Sequence, residues 1–339
     1  MPNSELFLGN LLLLVLVIIE ILVIKFYLKE NLPWRELILN LNSGHILLWI
    51  FRGLEVSMYF YTAKYISLNW VEHLPYWGIW LLAFVLWDFF FYWLHRLHHF
   101  YSFLWSVHVV HHEGEHFSLS LGIRNSWYSS LTSFPFFIGL ALLGIPVEVF
   151  VTVSSIHYFI QFYNHNHLVK RSGWLEHVLI TPSHHRVHHG MNDPYLDKNF
   201  GGTFVFWDKI FGTFQSEIES HPVVFGTSAH SDSLNPVVVN NAPILKLFGF
   251  NLPNDFFKSK ILICPVWLLT TKSLLLFLLL LYFIYTENIL TFETKVTLFS
   301  IIFLGTIGIG LLSENKRIGL YLWLFAIMFI PIIYLLFNV

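Results

Sequence analysis

Four histidines occupy six positions of "TPSHHRVHHG", residues 181–190, around Arg186. Two further clusters share this grammar: His95, His98 and His99, and then His108, His111 and His112 in "HVVHH". Side chains three and four apart lie on one face of a helix. His95 and His99 therefore form a pair, and each later box offers a trio: His108, His111 and His112, then His185, His188 and His189. Such imidazoles can converge on a metal from one side of a helix. His184 lies about 100° round from His185 and points elsewhere; the same geometry sets His98 apart from His95 and His99. "QFYNHNH" adds His165, nearest the end of an apolar segment, with His167 as its rival. His98, His157, His167 and His184 carry no assigned role.

A lone histidine in an apolar segment is more often a satisfied polar group than a ligand. Three boxes placed where apolar helices end or in the adjoining polar segment point instead to metal binding. Imidazole suits zinc, iron, copper or nickel, so ligand type does not choose the ion. Number says more. A structural zinc closes with about four ligands and a catalytic one uses about three, so eight or nine imidazoles suit two ions. All are neutral ligands, and Asp88, Glu113, Glu115, Asp193 and Asp197 are candidates to balance the charge by binding the distal ring nitrogens. Asp88 has a competing reading as the partner of Arg96 or Arg124.

The elements that must position these boxes belong to a membrane. The chain has 339 residues, 55% hydrophobic and only 12% charged, where a soluble domain carries about 25% charged residues. A crossing needs about 20 mostly apolar residues, and the sequence offers runs over 6–24, 45–68 (with Arg52 and Glu55, one helical turn apart), 75–94, 263–285, 296–312 and 318–337. Two shorter apolar segments within about 131–163, broken by Gly144 and Pro146, predict a helical hairpin that spans or nearly spans. The first run lacks a positive leader and a cleavage site and reads as a retained anchor. Lys25, Lys29 and Arg35 follow it, which by the positive-inside rule puts that end, and with it the histidine boxes, on the cytoplasmic side. The expected fold is all-α: a polytopic integral membrane protein with a helical histidine-box domain at the cytoplasmic face. It divides into N-terminal membrane helices (1–75), the box-bearing domain with its hairpin (76–260) and C-terminal membrane helices (261–339). Net charge near −2 gives no reason to expect nucleic acid. A single cysteine, Cys264, excludes a disulfide framework within the chain and a cysteine-based zinc or iron–sulfur site.

"WDFFFYWLHRLHH", "LWSVHVVHH" and "TPSHHRVHH" together resemble the fatty acid hydroxylase and sterol desaturase superfamily of membrane di-iron oxygenases, over about Tyr76 to Phe214. "NFGGTFVFWDKIFGTF" and "VVFGTSAHSDSLNPVVV" are similar to its alkylglycerol monooxygenase branch. The resemblance implies two iron ions, O₂ as co-substrate and hydroxylation, or desaturation, of a lipid C–H bond, with an alkylglycerol, sterol or fatty acid type of substrate. It carries the ligand role to His95, His99, His108, His111, His112, His185, His188 and His189, and His165 matches an additional histidine after the hairpin. In the alkylglycerol branch a glutamate follows the first box, whereas Phe100 stands here, which bears on the tetrahydropterin that the branch implies. No fused cytochrome or ferredoxin motif is present, so electrons are expected from a separate donor. Trp87, Phe89, Phe90 and Tyr92 are candidates to line a path for lipid, against a plainer role in packing. In "WDKIFGTF" a structural role is expected, with Gly201, Gly202 and Gly212 at tight turns and Asp208 capping a helix; Asp197 and Asn199 are the candidates to orient ligand rings.

Two other classes compete. A His-rich metal transporter would place its ligands near the bilayer midplane on broken helices, whereas these boxes sit at helix ends and in polar segments. A zinc-dependent membrane hydrolase would need fewer ligands and an evident general base, and no isolated carboxylate stands out among the boxes.

Overall fold

A computed structural model of the chain describes residues 4–43, 45–228, 233–251 and 264–337. In chain order the helices are α1 (Ser4–Leu22, continued by a π-helical stretch, Val23–Leu28), α2 (Trp34–Asn42), α3 (His45–Tyr65), α4 (Tyr76–Phe100), α5 (Ser102–His112), α6 (Leu119–Ile123) and α7 (Ser129–Leu143). They continue with α8 (Val147–Asn164), α9 (Pro182–His188), α10 (Phe206–Ile210), α11 (Pro236–Leu247), α12 (Val266–Thr286), α13 (Phe292–Ser313) and α14 (Arg317–Phe337). Among the described residues the only β pairing is an isolated bridge, Leu179 with Phe204. The all-α expectation holds. Among the described residues, five stretches are long and apolar enough to cross a membrane: Ser4–Leu28, Trp34–Tyr65, Tyr76–Phe100, Val266–Thr286 and Phe292–Ser313. The chain is an integral, multi-pass membrane protein. The boundary expected at 260/261 lies outside the described residues.

The chain forms two compact units. One comprises Met1–Leu47 with Ser231–Val339 and is a helical bundle. Its core gathers Ile38, Leu269, Leu276, Ile309, Leu312 and Trp323. α13 and α14 touch backbone to backbone, since a Cβ on Gly319 would lie 2.6 Å from the Gly308 carbonyl oxygen.

The other unit, Leu48–His230, holds every histidine box. Its core is built on α4, α7 and α8 around Trp87, which is fully buried and donates its indole N–H to Ser154 at 2.8 Å. The Trp87 ring stacks on Phe137 at 4.7 Å and on His157 at 4.4 Å. Trp87 is thus a core residue, and Tyr92 is fully buried as well, which agrees with the plainer role in packing for these two. The expected hairpin is α7–α8: Gly144 takes a left-handed φ of 94° that closes α7, and Pro146 opens α8. Arg52 and Glu55 on α3 pair at 2.6 Å, and Ser133 on α7 donates to the same carboxylate at 2.9 Å.

α4 is long enough to cross a hydrocarbon core roughly 30 Å thick, and its last turns carry His95 and His99. Tyr101, in extended conformation, ends α4 and allows α5 to turn back across it.

Candidate metal centre

Nine histidines meet in two adjoining clusters. His95, His99, His108, His112 and His188 form the first, and His111, His165, His185 and His189 the second. Within each cluster the ligand atoms all lie within 4.8 Å of one another. The clusters touch where the His112 and His189 rings stack at 4.4 Å. All nine candidate positions are thereby brought together, and His165, not His167, is the member from the segment after α8.

The boxes do not act as trios, however. Around a helix, residue i+4 lies about 40° from residue i, and residue i+3 about 60° to the other side. On α5, His108 and His112 face the first cluster while His111 faces the second. The box on α9 is split the opposite way, with His185 and His189 in the second cluster and His188 in the first. Each helix thus straddles the line between the two clusters.

In the first cluster Nε2 of His95 lies 3.1 Å from Nε2 of His108, His112 lies 3.1 Å from both His108 and His188, and His99 lies 3.2 Å from His112. In the second, Nε2 of His165 is 3.1 Å from that of His111 and 3.0 Å from that of His185. Two imidazole nitrogens bound at about 2.1 Å to one ion stand about 3.0 Å apart at a right angle and about 3.4 Å apart at a tetrahedral one. The observed spacings are those of nitrogens that could share one ion.

The distal nitrogens show why these contacts suit a cation. Nδ1 of His95 bonds the Phe200 carbonyl at 2.9 Å, that of His111 the Arg124 carbonyl at 2.8 Å, that of His165 the Gln161 carbonyl at 2.8 Å and that of His188 the Lys198 carbonyl at 2.9 Å. Nδ1 of His99 bonds the Asp197 carboxylate at 3.1 Å. A carbonyl accepts only, so each Nδ1 facing one carries the hydrogen and each Nε2 carries a lone pair. His111 and His165 are both fixed in this tautomer. Their Nε2 atoms, 3.1 Å apart, therefore oppose lone pair to lone pair, and a cation between them reconciles the arrangement. Both ring nitrogens of buried His189 are without a hydrogen-bond partner, another buried lone pair that metal would satisfy.

Electrostatics favour neutral, ligand-ready rings. Burial, reinforced by the neighbouring histidines, holds His108, His112, His165, His185, His188 and His189 well below the ordinary imidazole value. Burial lowers His111 to about 4, with the Arg124 carbonyl acting against it and the charge of Arg124 adding to it.

Four other histidines of this unit, His98, His157, His167 and His184, lie outside the clusters. His98 bonds the Thr132 hydroxyl through Nε2 at 3.0 Å and stacks on His108. His157 bonds the Thr203 hydroxyl at 2.6 Å and the Phe84 carbonyl at 3.0 Å. His167 bonds the Phe117 carbonyl at 3.1 Å. His184 is buried against Phe214, outside both clusters.

The carboxylates divide differently from expectation. Asp197 does reach a ring, that of His99. Asp88 neither pairs with Arg96 or Arg124 nor meets a clustered ring. It accepts N–H bonds from Thr203 at 2.8 Å, Phe204 at 3.0 Å and the Trp207 indole at 3.0 Å, tying the 203–207 segment to α4. Glu113 takes the Arg124 guanidinium at 3.1 Å. Asp208 caps no helix. It lies inside α10 and accepts from the N–H groups of Phe200 (2.7 Å) and Gly201 (2.8 Å) and from the Thr213 hydroxyl (2.7 Å). Asn199 shapes the loop through backbone bonds to His184 and Gln215. Sequence reading also missed the clamp outside α9. Arg186, inside the third box, donates to Glu217 at 2.9 Å and to the carbonyls of Val169 (2.8 Å) and Lys170 (2.6 Å). A lone arginine within a histidine run was its only mark.

Residues 80–213, which contain both clusters entire, match the fatty acid hydroxylase family model. These residues carry a fatty acid hydroxylase family domain, and the relatives that the chain resembles support the alkylglycerol monooxygenase-like branch of that superfamily. The chain is 36% identical to the alkylglycerol monooxygenase of Homo sapiens over 226 residues (64% of this chain, 49% of that protein) and 41% identical to that of Danio rerio over 178 residues (52% and 38%). It is also 32% identical to an ornithine lipid hydroxylase of Rhizobium tropici over 141 residues, 40% of this chain and 41% of that protein. The chain thus spans half or less of the length of these curated relatives. No solved structure matches it.

Proposed function

We propose that this protein is a di-iron lipid monooxygenase that hydroxylates a C–H bond of a membrane lipid of the alkylglycerol type. The opposed lone pairs of His111 and His165, within two clusters of five and four imidazoles, carry the reading. His95, His99, His108, His112 and His188 would hold one iron, and His111, His165, His185 and His189 the other. Bound there, the ions supply the activation of O₂, with electrons from a separate donor, for which tetrahydropterin is the first candidate.

The chain's own residues do the rest. Carbonyl and carboxylate partners on Nδ1 fix ring orientation and tautomer, so little reorganisation is needed when metal enters. Burial keeps the imidazoles neutral and the site dry. The first box at the end of α4 supports a site at the membrane edge, where a lipid can present its chain while its polar end stays in the interface. The basic residues after the first span support the cytoplasmic side for the histidine boxes. The names of the alkylglycerol and ornithine lipid relatives support a polar-headed lipid.

The test is iron content and turnover of the purified full-length chain in lipid–detergent micelles, supplied with alkylglycerol, O₂ and tetrahydropterin. Two irons per chain and an oxygenated lipid product are expected. Full activity with one metal per chain would contradict the pair. Turnover without iron and O₂ would favour a zinc hydrolase, and metal flux through proteoliposomes without O₂ uptake a transporter.

A further inference from the structure

One peptide group between two clusters of bonds has both ends engaged. The carbonyl of the Phe200–Gly201 peptide takes the Nδ1–H of His95 at 2.9 Å, and its N–H donates to Oδ2 of Asp208 at 2.8 Å. A peptide is a resonant unit, so an anion on its N–H side pushes electron density toward its oxygen. Asp208 is fully buried. Its three hydrogen bonds are all from donors: Phe200 N–H at 2.7 Å, the Thr213 hydroxyl at 2.7 Å and Gly201 N–H at 2.8 Å. Burial pushes this carboxyl up, and the three donors with the charge of Arg96 act against that push and favour the ionised form. The backbone is shaped to let this carboxylate in, since a Cβ on Gly201 would lie 2.8 Å from Asp208 Oδ2 and 2.8 Å from the Phe204 carbonyl oxygen.

We propose that Asp208 is a positioning residue that lends its negative charge to the first metal position through the Phe200–Gly201 peptide, fixing the His95 tautomer and making its Nε2 a stronger donor. The proposal rests on the metal-pair reading above. A carboxylate directly on a ligand ring does this job at His99, where Asp197 serves; at His95 a peptide is inserted between the two. The second cluster has a different surround. His165 meets the plain Gln161 carbonyl, and His111 meets the carbonyl of Arg124, a residue whose guanidinium lies within the same buried network. The relay therefore biases one position over the other. The five-histidine position is the tighter one for a divalent ion.

Thr213 separates charge relay from mere bracing. Its hydroxyl competes with Gly201 for the carboxylate, and its removal leaves more of the charge for the peptide. Tyr92, which also contacts that hydroxyl at 3.0 Å, keeps its bond from Arg96. If Asp208 only braces the loop, loss of either partner should loosen the site alike.

The experiment is Co²⁺ titration of the metal-free full-length chain in detergent, followed by visible absorption and by metal analysis, for the wild type, Asp208→Asn and Thr213→Val. Wild type should take two ions. Asp208→Asn should weaken one of the two about 10–100-fold, the loss usual for a residue supporting a ligand ring, and leave the other unchanged. Thr213→Val should bind the first ion as tightly as wild type or more so. Two ions bound normally by Asp208→Asn, equal weakening of both, or Thr213→Val weakened in step with Asp208→Asn would each overturn the relay. Should Asp208→Asn not fold, the sign of the Thr213→Val effect decides alone. A wild type that takes no pair of ions overturns the metal-pair reading and the relay with it, and is recognised as that separate failure because the wild type itself shows it.

Discussion

His188 and His189 are neighbours in sequence, yet they face different clusters, and alanine at each should cost a different ion. A four-ligand metal site binds with about 10–16 kcal/mol, so one imidazole carries on the order of 3–4 kcal/mol, or roughly 10²–10³-fold in affinity. His188→Ala leaves four rings in the first cluster. His189→Ala leaves three in the second, and the larger loss is expected there. Metal content measured by mass spectrometry over a series of buffered free-iron concentrations should therefore show each variant losing one ion, and the double variant losing both. Loss of the same ion from His188→Ala and His189→Ala would refute the division of the boxes.

His184→Ala should keep two irons and turn over, at a cost of about 1–3 kcal/mol in stability from lost packing against Phe214; a thermal melt alongside metal analysis checks both. Burial pushes the Glu217 carboxyl up, but hydrogen bonds from Arg186 and Ser183, with the charges of Arg186 and Arg171, more than reverse it and leave it below the ordinary value. A carboxyl held lower in the folded state stabilises the fold above its unfolded value of about 4.3, and that contribution fades as pH falls through the lower folded value. Melting of the metal-free protein from pH 6 downward should thus drop less steeply for Glu217→Gln than for wild type, and parallel curves would refute the clamp.

Much of the centre was legible because helical phase is local. That His184 turns away from His185, and that His98 leaves the face of His95 and His99, follow from 100° per residue, and the structure agrees. Phase within one helix does not say which rings of another helix it will meet, so the expected trios divide between clusters. The choice of His165 over His167 followed from proximity to the end of α8. The partners of the distal nitrogens were mostly invisible, because they are backbone carbonyls of Phe200, Arg124, Gln161 and Lys198 and carry no side-chain signature. Asp88 misled for a related reason: a carboxylate two turns before His95 suggests a role toward that ring, but its bonds go to N–H groups more than a hundred residues away. The glycines at 201 and 202 were read as turns. Their purpose is clearance, letting Asp208 and Asp88 reach the main chain: a Cβ on Gly202 would lie 3.0 Å from Asp88 Oδ1.

The opposite division of the boxes on α5 and α9 has an evolutionary corollary. Inserting or deleting one residue between His108 and His111, or between His185 and His188, would rotate the downstream rings by about 100° and misdirect ligands of both ions at once. Neither half of the centre can drift toward a new geometry while the other is kept. Variation among descendants of this chain should accordingly collect in the spans and connecting segments, with the spacing inside each box left untouched.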